Sequence, residues 1–157
     1  MAPPWSPTAE PRSADPYGDD VDHIEAIKQL KARYFRTMDT KDWDGMRAVF
    51  TDDLVMDTTE SGGGIVEGAD EFMAFLEQVL ADATTVHHGH MPEIELTSPT
   101  TATGIWAMED MILWPNGGRL HGSGHYHETY ELIDGTWKIK TSKLTRLHRD
   151  LTGFDPE

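Results

Sequence analysis

The sequence predicts an α+β domain, a cone-shaped barrel in which a curved, mostly antiparallel sheet wraps around a long N-terminal helix. Three observations predict this fold class. Helical periodicity dominates the first half of the chain, strand patterns dominate after Val86, and two strong hairpin turns lie at 115–118 and 133–136. One domain accounts for the length, because a chain of 157 residues buries roughly 70% of its unfolded surface.

Three helices are predicted before the main sheet. The first begins near Asp22, and its apolar residues recur at steps of three and four: Ile24, Ile27, Leu30, Tyr34 and Met38. Basic residues occupy its other faces: Lys28, Lys31, Arg33 and Arg36. A short second helix follows, capped by Thr40 or Asp42. A strand at 54–58 and a flexible Ser-Gly-Gly-Gly turn at 61–64 come next, and Gly68 precedes an amphipathic third helix.

Four strands are predicted in the second half, near 86–96, 101–114, 119–133 and 136–148. Residues 105–114 are apolar at nearly every position, so this strand is expected to be buried on both faces. We expect the face turned away from the helices to pack on another subunit, which predicts a homo-oligomer, either a dimer or a trimer. Residues 1–20 hold five of the nine prolines and are predicted to be a disordered tail. The domain is predicted to span 21–149, with a C-terminal tail at 150–157.

Composition narrows the classes of partner. A net charge of −15 and a pI near 4.7 argue against nucleic acid and against an anionic membrane surface. The chain has no cysteine, which excludes disulfides and thiolate metal sites. No apolar run is long enough to span a bilayer, and the N-terminus lacks the pattern of a signal peptide. We therefore expect a cytoplasmic protein whose partner is a small molecule.

Asp110 lies in the middle of the apolar strand at 105–114. On a pleat of period two it shares a face with Trp106, Met108 and Ile112. A carboxylate among apolar side chains is costly unless a partner compensates its charge. Histidines are the obvious candidates for that partner. In a purely structural role, a backbone N–H or an arginine would satisfy the carboxylate instead.

Histidines are concentrated in two segments. His87, His88 and His90 fall within four residues, and because neighbouring strand residues face opposite sides, either His87 or His88 faces the interior. The second group lies in the strand at 119–133 and consists of His121, His125 and His127. Together they could suggest a metal site. The spacing is weak evidence and no second motif supports it, so no metal is expected.

Polar residues also mark the end of the first helix and the last strand. Tyr34 lies on the apolar stripe and points inward, and a buried phenol normally finds a partner. Asp39 follows five residues later, where a turn or a cap for the second helix is the alternative role. Lys140 and Arg146 belong to a basic segment of an acidic protein. Either could neutralise Asp110 or hold a substrate oxygen, although a solvated strand face would also explain them.

The chain resembles the SnoaL-like branch of the nuclear transport factor 2-like superfamily over about residues 22–148. The resemblance rests on motifs spread along the domain. They are Tyr34-x4-Asp39, Asp42-Trp43-Asp44, Phe50-Thr51-Asp52-Asp53, Gly68 before the third helix, His87-x-Gly89, Trp106-x3-Asp110, and Gly135-x-Trp137-Lys138-Ile139 ahead of Arg146. This resemblance implies the cystatin-like cone fold. It implies less about chemistry, because such cones host enzymes, ligand binders and assembly modules.

The polar residues resemble most the sites of the bile acid 7α-dehydratases, scytalone dehydratase and lindane dehydrochlorinase. Those enzymes pair an aspartate with a histidine that abstracts a proton, and Asp39 and His87 match that dyad by position. Tyr34 and Asp110 match a tyrosine and a second aspartate of the bile acid enzymes, and Lys140 falls near an arginine of the dehydrochlorinase. Steroid isomerases, which use an aspartate base without histidine, fit less well. Polyketide cyclases are a further alternative.

The resemblance implies a lyase without a cofactor, catalysing a dehydratase-type β-elimination, or an isomerase, acting on a hydrophobic ring-bearing molecule such as a steroid or polyketide. His87 would be the general base and Asp39 would orient it. Tyr34 would donate to developing negative charge, and a neutral Asp110 would assist the leaving group. The predicted substrate contacts are Trp106, Met108, Ile112, Phe72, Phe75, His88, Lys140 and Arg146.

Two non-enzymatic alternatives remain open at this point. The domain could bind a small molecule without converting it, as an accessory protein does. It could also be an assembly module, in which case an aromatic side chain of the protein itself would fill the cone.

Overall fold

The computed structural model describes residues 18–153 and confirms the α+β fold class, with helices packed on a curved six-stranded sheet. The helices are α1 (Gly18–Thr40), α2 (Trp43–Arg47) and α3 (Ala69–Leu80). The strands are β1 (Phe50–Asp57), β2 (Ile65–Glu67), β3 (Thr84–Ser98), β4 (Thr101–Leu113), β5 (Arg119–Ile133) and β6 (Thr136–Thr152).

The strand order in the sheet is β2-β1-β6-β5-β4-β3. Strands β3 to β6 form the predicted antiparallel meander, and β1 joins it by pairing in parallel with β6. The three-residue strand β2 is absent from the prediction, because so short a segment gives no periodic signal. Before it, the Gly-rich segment contains a turn of 3-10 helix at Thr59–Ser61.

Helix α1 is the long helix of the cone and begins four residues before its predicted start. Its apolar stripe is buried as expected, with Ile27, Leu30, Tyr34 and Met38 at most 3% exposed. Lys31 differs from the prediction, because it is fully buried with the stripe rather than solvated on another face. Its position four residues after Ile27 and three before Tyr34 places it on the same face of the helix.

The end of α1 is a left-handed turn at Lys41, which has φ of 60°. The N–H of Asp42 donates to the carbonyl of Thr37 at 2.9 Å, and that of Lys41 donates to Met38 at 3.3 Å, the pattern of a Schellman motif. Of the two candidate caps for α2, Asp42 is the one used, since its Oδ1 accepts the N–H of Gly45 at 3.0 Å.

Strand β4 is buried on one face only, so the expectation of burial on both faces is wrong for the single chain. Trp106 is 6% exposed and Asp110 is 3% exposed, whereas Ile105 and Met111 on the opposite face are 37% and 38% exposed. The helices cover only the concave face of the sheet. That another subunit covers the convex face stays a prediction.

The ends of the domain differ in detail from the predicted boundaries. Most of the predicted N-terminal tail lies outside the described residues, although its last three residues belong to α1. Strand β6 continues to Thr152, three residues beyond the predicted domain end. Within residues 18–153, no helix is long and apolar enough to cross a membrane.

Candidate active site

A cavity lies between the concave face of the sheet and the helices α1 and α3, and it opens to solvent. Most of its wall is apolar, and the wall includes Phe72, Phe75 and Ile112 from the predicted set of substrate contacts. Five titratable side chains interrupt that wall: Tyr34, His87, Asp110, Tyr126 and Arg146.

The structure places His87, and not His88, on the cavity side of β3. The imidazole is 5% exposed, and its Nδ1 lies 2.7 Å from Oδ1 of Asp39. The second carboxylate oxygen of Asp39 accepts the backbone N–H of His87 at 2.8 Å. The next residue, His88, points to the convex face and is exposed. The strand register therefore brings together the acid at the end of α1 and the histidine on β3.

The hydrogen bonds of Asp39 determine which nitrogen of His87 carries the proton. An ionised carboxylate only accepts hydrogen bonds, so the Nδ1 of His87 is the protonated nitrogen. Nε2 is then the unprotonated nitrogen with a free lone pair. Within residues 22–153, no side chain forms a hydrogen bond with this atom. Nε2 is therefore available to accept a hydrogen bond within the cavity.

Asp39 is held in its ionised form. Burial opposes its ionisation, but hydrogen bonds from the ring and the backbone of His87 and from the Thr85 hydroxyl outweigh burial and lower the pKa of Asp39. These bonds also offset the helix carbonyls at the end of α1, which disfavour a negative charge there. The carboxylate of the dyad is therefore ionised at neutral pH.

Asp110 is paired with Arg146, one of the two cations that the sequence offered to neutralise it, and not with a histidine. Nη1 and Nη2 of Arg146 donate to the two carboxylate oxygens of Asp110 at 2.7 and 2.8 Å. Both side chains are almost fully buried, at 7% and 3% exposed. The bidentate geometry is that of a charge-assisted pair, not of a carboxyl group surrounded only by apolar side chains. That Asp110 assists a leaving group stays a prediction.

Room for this ion pair depends on Gly122 of the neighbouring strand β5. A Cβ atom at Gly122 would lie 2.5 Å from Nη1 of Arg146 and 2.9 Å from Oδ1 of Asp110. The remaining nitrogen of the guanidinium, Nε, donates to Oγ of Ser61 at 2.9 Å. Arg146 thereby connects the turn that contains Ser61 to Asp110 on β4.

Tyr34 lines the cavity beside Tyr126, with ring centroids 5.8 Å apart. Burial, together with Tyr126 and the charge of Glu128, raises the pKa of Tyr34 well above its ordinary value. Burial likewise raises the pKa of Tyr126. Both phenols stay protonated at neutral pH and act as hydrogen-bond donors rather than bases.

A buried polar network supports these two tyrosines from behind. The ammonium of Lys31 lies 3.8 Å from the ring centroid of Tyr34 and 3.6 Å from that of Tyr126. Lys31 forms an ion pair with Glu128, which also accepts the hydroxyl of Tyr130 at 2.6 Å. This network fixes the rings that form one wall of the cavity.

Four predicted substrate contacts do not line the cavity. Trp106 and Met108 are buried in the layer behind it, where the indole N–H of Trp106 donates to Tyr130 at 2.9 Å. His88 lies on the convex face. Lys140 binds Asp53 and Glu131, both at 2.9 Å, away from the cavity. Of the two candidate cations, only Arg146 reaches the site.

The histidines of β5 lie on the convex face as well. Nε2 of His121 lies 2.9 Å from Glu109 on β4, and Nε2 of His127 lies 3.2 Å from the hydroxyl of Thr145 on β6. Among the described residues, no cluster of three or more histidine and carboxylate side chains could hold a metal ion.

Tyr126, Ser61 and Thr85 are site residues that the sequence did not reveal. Tyr126 shares a face of β5 with Gly122 and Glu128. That alternation is visible in the sequence, but the histidines of the same strand gave the stronger signal. Thr85 and Ser61 gave no signal, because single hydroxyl residues near a strand start or in a turn are common.

Comparison with known proteins agrees with this architecture. The family described as SnoaL-like domain matches residues 19–143. A curated relative, "Probable cyclase FGR4" of Gibberella zeae, is 23% identical over 138 residues, which are 78% of this chain and 89% of the relative.

Solved structures show the same fold. A type 2 hexachlorocyclohexane dehydrochlorinase superposes with a TM-score of 0.76 at 20% identity, covering 88% of this chain and 96% of its own. The "Putative Scytalone Dehydratase" of Novosphingobium aromaticivorans superposes with a TM-score of 0.74 at 21% identity, covering 88% and 91%.

Proposed function

We propose that this chain, which belongs to the SnoaL-like domain family, is an enzyme. It needs no cofactor and removes a proton from a hydrophobic ring-bearing small molecule. A β-elimination of the dehydratase type is the reaction we favour. The observation that carries this proposal is the Asp39–His87 dyad in an apolar cavity, with Nδ1 bonded at 2.7 Å and Nε2 without a hydrogen-bond partner among the described residues.

The dyad supplies the base. Nε2 of His87 takes a proton from carbon next to a carbonyl, and the C–H electron pair forms the new double bond as the leaving group departs with its own electron pair. Asp39 stabilises the imidazolium as it forms. General base catalysis of this kind contributes about 10²–10⁴-fold to a rate.

The donors of the cavity stabilise the oxygen atoms of the reaction. The hydroxyls of Tyr34 and Tyr126 are protonated donors in an apolar wall, where a hydrogen bond to a developing enolate oxygen is strong. When the leaving group is hydroxide, the Tyr34 phenol gives it a proton to form water, and the imidazolium returns a proton to the phenolate. An isomerase would instead return the proton to another carbon.

The charge balance of the site favours a neutral substrate. The guanidinium of Arg146 has five N–H groups, of which two bond to Asp110 and one to Ser61. It therefore cannot grip a substrate carboxylate with a bidentate pair, and Asp110 already neutralises its charge. Asp39 adds a negative charge nearby. The apolar wall of the open cavity suits a hydrophobic molecule without net charge.

A cyclase is the second candidate. A curated relative carries the name "Probable cyclase", and ring closure by a carbon nucleophile begins with the same proton abstraction. The two reactions differ in the fate of the carbanion, which either expels a leaving group or attacks a second carbonyl. The open cavity disfavours an assembly module, which would fill it with a side chain of the protein.

The test uses two neutral ring ketones in place of the unidentified substrate. Proton exchange of tetralone in deuterated water, followed by NMR, reports proton abstraction, and a β-hydroxytetralone that loses water to a fluorescent naphthol reports elimination. We expect both reactions with the wild type, and a loss of about 10²–10⁴-fold in His87→Ala.

The matched control is His88→Ala, which removes the neighbouring imidazole from the convex face and should leave both rates unchanged. Equal rates in His87→Ala and the wild type would refute the dyad as the base. Binding of tetralone with no exchange would assign the protein to the non-catalytic binding domains.

A further inference from the structure

A hydrogen-bond chain leads from Lys41 to the dyad. Nζ of Lys41 lies 2.8 Å from Oγ1 of Thr85, and that hydroxyl lies 2.9 Å from Oδ1 of Asp39. An ammonium group can only donate, so the Thr85 oxygen accepts from Lys41 and its single hydrogen points to Asp39. The chain therefore has one direction, from the cation to the carboxylate and on to Nδ1 of His87.

The position of Lys41 is unfavourable for a lysine. Its backbone has φ of 60°, in the left-handed region at the helix end where glycine is the usual residue. Its ammonium is partly buried, and this burial lowers the pKa of Lys41 although Asp39 opposes the change. A side chain that bears both costs and still bonds to Thr85 indicates a role beyond ending α1.

We propose that Thr85 and Lys41 are positioning residues of the Asp39–His87 dyad. Their hydrogen-bond chain draws negative charge away from Oδ1, the oxygen that also accepts Nδ1–H, and so limits how tightly the carboxylate holds a proton on the imidazole. The inference deepens the proposed function, since it concerns the same dyad.

Of the charged groups that the structure describes around the dyad, Lys41 is the one whose charge no ion pair cancels and which can be removed without changing the dyad itself. Asp39 comes from α1, and Asp110 lies opposite His87 in the register of β4, but its charge is cancelled by Arg146 of β6. Tyr34 of α1 and Tyr126 of β5 stay protonated, and the α3 residues in the cavity wall are apolar. Removing Lys41 or its bridge to Asp39 therefore alters the balance directly.

The experiment follows the ring nitrogens of His87 by NMR on the whole protein labelled with ¹⁵N-histidine, and it needs no substrate. In Thr85→Val and in Lys41→Met we expect the titration midpoint of the imidazole to rise by about 0.5–1 pH unit, a three- to tenfold gain in proton affinity. Thr85→Ser, which keeps the hydroxyl, should restore the wild-type midpoint. Lys41→Gly also removes the charge, and glycine adopts the left-handed backbone conformation without strain. The test therefore does not depend on the folding of Lys41→Met alone.

Two controls match these changes in size and charge. Lys140→Met removes a lysine paired with Asp53 and Glu131 outside the site, and Thr129→Val removes a hydroxyl bonded to Thr141. Neither should move the midpoint of His87. Unchanged or lowered midpoints in both Thr85→Val and Lys41→Met would overturn the proposal, and so would a rise in Lys41→Met alone, because the charge would then act without the Thr85 bridge.

The result is separable from the fate of the proposed function. A protein that shows the shifts but no exchange of tetralone would keep the positioning chain and lose the enzymatic assignment. A protein that exchanges tetralone through His87 without the shifts would keep the enzyme and lose the chain.

Discussion

Removing the cation of the buried Asp110–Arg146 pair should destabilise the fold strongly. The two side chains are 3% and 7% exposed and share two short hydrogen bonds, so Arg146→Met leaves an uncompensated carboxylate in the apolar interior. Breaking such a pair from one side costs about 3–5 kcal/mol. Loss of the bond from Nε to Ser61 adds about 1 kcal/mol.

The double variant Asp110→Leu/Arg146→Met separates charge burial from packing. Replacing both members of a buried pair by apolar residues is often neutral. We therefore expect the free energy of unfolding of the double variant to lie within about 1–2 kcal/mol of the wild type, so that it recovers at least about 2 kcal/mol of the single loss.

Urea denaturation at pH 7 measures these free energies. Arg47→Met is the control, since Arg47 pairs with the exposed Asp52 and Asp70 and should contribute less than about 1 kcal/mol. If Arg146→Met cost no more than Arg47→Met, the assignment of a dry, coupled ion pair would fail.

Three further predictions concern the same site. Gly122→Ala should lower the free energy of unfolding by about 1–3 kcal/mol in urea, because its Cβ crowds the Asp110–Arg146 pair; an unchanged value would show that the pair can shift. Asp39→Asn should be less stable than the wild type at pH 7. Since the pKa of Asp39 is lowered in the folded state, the difference should persist above its unfolded pKa of about 3.9 and vanish as pH falls through the folded pKa; a difference that is constant with pH would contradict this. In calorimetry, naphthamide should bind about tenfold more tightly than naphthoate, and tighter binding of naphthoate would refute the neutral-substrate argument.

The order and type of the long elements were predictable from sequence because each has its own local signal. The stripe of α1 and the turns at 115–118 and 133–136 depend on neighbours a few residues apart. What failed was inference about burial. Apolar residues on both faces of β4 suggested double burial, yet Met111 and Ile105 face outward in the single chain. A pattern of period two identifies two faces and does not say what covers the second.

The candidate site was predictable where spacing and resemblance agreed and not where partners come from distant strands. Asp39 and His87 were expected together. For Asp110, the sequence offered histidines, Lys140 and Arg146 without deciding among them. The bond to Arg146 joins β4 to β6 across β5, and only the register of three strands brings the two residues into contact. The burial of Lys31 could not be predicted for the same reason, because its ion-pair partner Glu128 lies 97 residues later in the chain.

The two carboxylates of the cavity have different partners, and this difference divides their roles. Asp39 accepts hydrogen bonds from a hydroxyl, a backbone N–H and an imidazole, so the only partner that can change its own charge near neutral pH is His87. Asp110 is matched with a guanidinium that never loses its charge. Among the described residues of the cavity, the proposed function therefore assigns proton abstraction to Nε2 of His87 alone. An apolar cavity with a single base is suited to removing a proton from carbon, where a second base would compete for substrate oxygens.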